Sequence, residues 1–136
     1  MATSSGREPE NFEQAAAEST IHWRALAWIC AAAVLVISLL PVPDLPVEPP
    51  QDTDKLVHFG LYCGLAWLFS RAYPRCSFIM LGGILTGYGA LIEFLQTATT
   101  ARYGSFADGL ANALGVLIML LLIASIRRRR ARRPAR

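Results

Sequence analysis

The middle of this chain is almost without charge. Of its 136 residues, only five between Leu56 and Ile126 are charged: Arg71, Arg75, Glu93, Arg102 and Asp108. Charged residues make up 17% of the whole and hydrophobic ones 54%, against about 25% charge in an ordinary soluble domain. A chain of this size folding in water needs a polar surface, and this one lacks the residues to build it. One compact soluble domain is thereby excluded. Cysteine is scarce too. Cys30, Cys63 and Cys76 show no paired spacing and two sit in apolar runs, which excludes a secreted disulfide scaffold and leaves them as small buried hydrophobes. Also missing are a GxSxG elbow, a Walker loop, an HExxH pair and Cys/His zinc spacing. No metal and no other cofactor is expected on these grounds. One histidine and two carboxylates on separate helices, His58, Glu93 and Asp108, make only a weak metal pattern.

What is present is four apolar segments, each near the ~20 residues that a spanning helix needs. They predict an all-α fold, an integral membrane four-helix bundle with spans over residues 23–41, 56–73, 78–96 and 108–126. The second and third are short or polar for lone spans and are expected to rest on packing with neighbours. Residues 1–22 carry Glu8, Glu10, Glu13 and Glu18 and few bulky apolar side chains, which predicts disorder. That acidic leader, with no small-residue cleavage site after the first helix, favours a retained helix over a signal peptide. Five prolines between Pro41 and Pro50 predict a stiff, polyproline-like spacer. Residues 127–136 form a basic tail with seven arginines.

Lysine and arginine near the spans divide ten to two between the two sides, with Arg7 left out. The positive-inside tendency then places both termini in the cytoplasm. The tail reads as a topology anchor that also meets anionic lipid, with nothing to support nucleic-acid binding.

On that topology the rare polar residues gather at the outer end. Asp54, His58 and Tyr62 repeat at i, i+4 and i+8 on the second helix, with Lys55 beside them. Glu93 and Gln96 end the third helix, Arg102 and Ser105 lie in the loop after it, and Asp108 and Asn112 open the fourth. An ionised carboxylate in a span costs several kcal/mol unless paired or wet, so three helices placing polar pairs at one depth imply a shared pocket. Arg102 is the natural partner of Glu93 or Asp108. Each residue also has a plainer reading. Asp54 suits a helix N-terminus, Ser105 with Asp108 three residues on resembles a capping box, and Asn112 can join two helices. His58 and Glu93 are harder to explain as structure. Gly60 and Gly64, Gly83 and Gly87, and Gly115 are permissive of close helix packing or of pairing with another chain.

These residues resemble the VanZ-like membrane proteins. The resemblance lies in Asp54-Lys55-x-x-His58-Phe59, then Glu93-x-x-Gln96, then Arg102, Ser105 and Asp108-x-x-x-Asn112-x-x-Gly115. It spans Trp28 to Ile126, with the motifs of three helices in order. It implies a multi-pass protein of the bacterial inner membrane, in a family named for low-level resistance to teicoplanin, a glycopeptide. An outward pocket at headgroup depth is compatible with an anionic phospholipid or lipid-linked precursor. Arg102 and Lys55 would then hold phosphate. His58, Glu93 and Asp108 would supply hydrogen bonds or acid–base function, and Asp54, Gln96, Ser105 and Asn112 would line the site. The competing expectation is a non-catalytic structural or assembly protein whose polar cluster locks the helices together. A site variant should fold and lose function, whereas a lock variant should lose stability.

Overall fold

A computed structural model of the protein describes residues 7–40, 53–98 and 105–132, with side chains from Thr20 onward in the first stretch. These residues form four helices: α1 (Arg7–Leu39), α2 (Thr53–Ala72), α3 (Phe78–Ala98) and α4 (Phe106–Ala131). The all-helical expectation is met. Three of the helices are long and apolar enough to cross a membrane, over Thr20–Leu39, Phe78–Ala98 and Phe106–Ala131.

Two elements differ from their expected form. Helix α1 begins at Arg7, within the segment 1–22 expected to be disordered. Its first turns are rich in Glu, Gln and Ala, which favour helix without needing a core. The second expected span, 56–73, lies in α2, which is not among the three helices apolar enough to cross. Asp54, Lys55, His58 and Arg71 all fall within it. Its position explains how it tolerates them. Helix α2 packs most extensively against α4 and also contacts α1 and α3. Much of its surface, including Tyr62, Leu65, Ala66 and Phe69, meets protein.

The helices also outrun the apolar spans. Pro74 stands in the α2–α3 turn, closed by Cys76 N–H donating to Tyr73 O at 3.0 Å. Ser77 then caps α3, its Oγ accepting from Met80 N at 3.1 Å. Arginine is a good helix former and suits the negative end of the helix dipole, so α4 continues through Arg127–Arg130, the start of the tail, to Ala131.

Outside the core the surface is apolar. Ile79 is 90% exposed and Phe106 91%, and Trp28, Ile29, Val36 and Phe94 are also exposed. Monomeric soluble proteins rarely show apolar surface on this scale.

The bundle has two chemically different ends. At one, arginines meet aromatic rings and helix carbonyls. Arg24 lies over the Tyr73 ring at 5.1 Å and Arg71 over Trp23 at 5.2 Å. Arg127 lies over Phe78 at 5.0 Å. Arg24 Nε donates to Ala72 O at 3.4 Å and Arg127 Nη2 to Ser70 O at 3.2 Å. Both carbonyls belong to the last turn of α2, where cations are favoured. The opposite end holds His58, Glu93, Ser105, Asp108 and Asn112.

Candidate functional site

The polar end is assembled from the first turns of α2 and α4 and the last turns of α3. Ser105 is the N-cap of α4, with φ −118° and ψ 128°, and its Oγ accepts from Ala107 N at 3.2 Å. In a capping box the residue at the third helical position, here Asp108, would return a bond to the Ser105 N–H. Helix α3 supplies that bond instead, as Ser105 N donates to Glu93 Oε2 at 3.0 Å. The α4 cap therefore spans two helices, and Asp108 is left with an unused carboxylate. Its Oδ1 is buried with no hydrogen-bond partner, and the residue is 8% exposed.

Asn112 lies one turn further on and joins the other two helices. Its Nδ2 donates to Glu93 Oε1 at 3.4 Å, and its Oδ1 lies 3.1 Å from His58 Nδ1. An ionised carboxylate only accepts, so the amide nitrogen faces Glu93 and the amide oxygen faces His58. His58 Nδ1 must then carry a proton and donate to Asn112. In the neutral ring this leaves the lone pair on Nε2. His58 Nδ1 also lies 3.8 Å from Glu93 Oε1, with side-chain exposures of 10% and 12%. One ligand atom each from His58, Glu93 and Asp108 lie within 4.8 Å of one another.

One turn beneath this pair, the Tyr62 ring packs against Gly89. A Cβ at Gly89 would stand 3.1 Å from Tyr62 Cε1, a tight contact to which the ring would have to give by a few tenths of an ångström. The Tyr62 hydroxyl is a second buried group with no partner.

The remaining expected site residues are placed apart from this cluster. Gln96 turns to α1, where its Nε2 donates to Ser38 O at 2.8 Å. Asp54 and Lys55 sit 4.0 Å apart at the start of α2, with side chains 53% and 39% exposed. Arg102 and the proline-rich segment lie outside the described residues. The glycines also differ from expectation. A Cβ at Gly60, Gly64, Gly83 or Gly87 would meet nothing within 4 Å, so these positions do not bring the helices together. Gly115 does: a Cβ there would overlap Phe59 O and stand 3.2 Å from Cys63 N. Cys63 Sγ donates to Gly115 O at 3.2 Å across the same contact. Sequence reading grouped all these glycines by spacing, which does not say which face meets a neighbour.

Glu93 and Ser105 also open onto a groove of about 500 Å³ between α3 and α4, lined by Thr86, Ala90, Phe94, Gly109, Leu110 and Ala113 among others. A second cavity of about 540 Å³ shares Thr86 and Ala113 with it and runs on past Gly83 and Leu117 to Phe78 and Arg128. Together they form one apolar furrow that begins at a carboxylate. From Phe78 to Glu93 it follows fifteen residues of α3, roughly 22 Å at ~1.5 Å per residue.

Comparison of this chain with protein-family models, with curated proteins and with solved structures gives no match.

Proposed function

We propose that this is a VanZ-like protein of the bacterial inner membrane that crosses four times, with both termini inside, and binds an anionic envelope lipid or lipid-linked precursor at its outer end. The observation that carries this reading is the continuity of the buried His58–Glu93–Asp108 cluster with the apolar furrow. A lipid has the same division, a polar headgroup joined to long apolar chains. The furrow is longer than one leaflet of the ~30 Å hydrocarbon core and suits an acyl chain. The basic, aromatic end fits the cytoplasmic interface, where arginines and Trp or Tyr collect. Helix α2 crosses as the inner helix of the bundle, shielding its polar residues against α1, α3 and α4. A link to glycopeptide resistance follows if the bound lipid is a cell-wall precursor.

Native mass spectrometry of the protein extracted in a mild detergent tests this reading. One anionic lipid should be retained per chain, and Ala113→Trp, which fills the furrow, should abolish retention while helix content stays normal. No retained lipid, or full retention by Ala113→Trp, overturns it. The orientation is checked by labelling single cysteines introduced into a chain whose three native cysteines are replaced. Positions Gln51 and Ala101 should react from outside and Ala131 should not.

The locking reading has its own support. Asn112 and Glu93 bind three helices together through His58 and Ser105. If Glu93→Gln and Asn112→Leu change thermal stability while leaving lipid retention intact, the cluster acts as a lock.

A further inference from the structure

The proposed anion site has a wall of the wrong charge. Glu93 and Asp108 are both carboxylates, and among the described residues no lysine or arginine pairs or hydrogen-bonds with either. Asp108 Oδ1 is buried with nothing to accept from, and an uncompensated carboxylate in such a place is costly. We propose that His58, Glu93 and Asp108 hold one divalent transition cation of the Zn2+ or Mn2+ class, at the mouth of the α3–α4 furrow.

The donor set is one imidazole and two carboxylates, three protein ligands that leave a position open, the ligand count of a reactive zinc site. Their ligand atoms lie within 4.8 Å of one another. Around a zinc ion with ~2.1 Å bonds such atoms stand roughly 3.4 Å apart, so binding would draw the three ligands together. The surroundings match what ligands need. Asn112 bonds to both His58 Nδ1 and Glu93 Oε1 and so holds two of the three ligands in place, as outer partners of metal ligands do. Glu93 accepts from Ser105 N and Asn112 Nδ2, yet each carboxylate oxygen keeps a further lone pair. Asp108 is free to ligate because Glu93 has taken its place in the α4 cap. Glu93 lines both the cluster and the furrow, so a cation held there would sit beside the place proposed for a lipid phosphate. A cation there turns a negative wall into an anion receptor. Cation binding itself does not depend on the lipid reading; only this last step rests on it.

The test uses the full chain, stripped with a chelator in phosphate-free detergent and given Zn2+ alone, with no lipid. The background is His22→Gln, since the chain has two histidines and His22 is the other. One Zn2+ per chain should survive desalting when measured by mass spectrometry of the metal. Asp108→Asn and His58→Gln should retain none. Asn112→Ala should bind roughly 10- to 100-fold more weakly, as expected for a lost outer partner. Asp54→Asn, an exposed carboxylate outside the cluster, should keep full stoichiometry. Should the ligand variants fail to fold, the parent chain still decides. Loaded with Mn2+, it should show electron spin-echo modulation from a directly bound nitrogen, which only His58 can supply. No stoichiometric Zn2+, no nitrogen coupling, or full retention by both ligand variants overturns the proposal. So does a metal-free parent chain in which Arg102→Gln destabilises as much as Asp108→Asn, because a guanidinium would then be the counter-charge. If Zn2+ fails to bind while lipid is still retained, the cation falls and the lipid reading stands. The reverse outcome removes the lipid and leaves the cation.

Discussion

On the face that α4 turns toward α2, the Gly115 backbone lies against Phe59 and Cys63 with no space for a methyl group. On the face it turns toward α3, Gly109, Ala113 and Leu117 line a furrow, and Gly83 across from it has nothing within 4 Å of where a Cβ would be. One helix therefore carries a closed seam and an open one. The closed seam is bridged by His58–Asn112 near one end and Cys63–Gly115 below it. The open seam is held at its polar end, where Glu93 takes the Ser105 N–H. Small residues alone do not bring helices together. They do so where a neighbour's backbone fills the space they leave.

Breaking the closed seam should have the largest effect. Gly115→Ala forces a methyl into Phe59 O, and α2 cannot yield without moving its backbone. Overpacking of this kind costs about 1–3 kcal/mol, occasionally more, and a clear fall in the detergent melting temperature should report it. An unchanged melting temperature would mean that α2 and α4 are not in this contact.

Asn112→Leu should follow. It removes the bridge between the seams and leaves His58 Nδ1 and Glu93 Oε1 without that partner, a loss of about 1–3 kcal/mol, read in a denaturant titration. If instead it stabilises the chain, the polar cluster is kept for binding and not for the fold. Ser105→Ala is expected to cost about 1 kcal/mol as a lost N-cap, while the Ser105 N–H to Glu93 bond remains because it uses the backbone. A much larger loss would show that Oγ does more than cap α4.

The smallest effect is expected on the open side. Gly83→Ala and Gly87→Ala should leave stability unchanged or raise it by roughly 0.5–1 kcal/mol through helix propensity. A strong fall in melting temperature, or a change of oligomeric state on size exclusion, would mean that a second chain covers this face and that the open seam is closed in the membrane.

Much of the fold was legible in the residues themselves. Scarce charge and four apolar runs specified helices, and Ser105 announced the start of α4 by local capping chemistry. Spacing also placed His58 and Tyr62 on one buried face, and Asp108 and Asn112 on another. Spacing misled where one helix meets two neighbours. Glu93 and Gln96 are three residues apart, about 60° around a helix, and were read as one face. That angle lets Glu93 serve α4 while Gln96 reaches α1. Asp54 shares the register of His58 but sits at the exposed start of α2.

The sequence alone thus determined that the apolar segments are helical, where α4 is capped, and that few polar groups are available to meet inside the bundle. Those are local properties, set by side-chain hydropathy, propensity and the 3.6-residue turn. Only the tertiary structure decided that Glu93 displaces Asp108 from the α4 cap, that Asn112 bridges His58 to Glu93, and that Gly115 rather than Gly83 is a contact. Each depends on how helices distant in sequence cross, and a helix's periodicity fixes the direction of a side chain without fixing what stands opposite it.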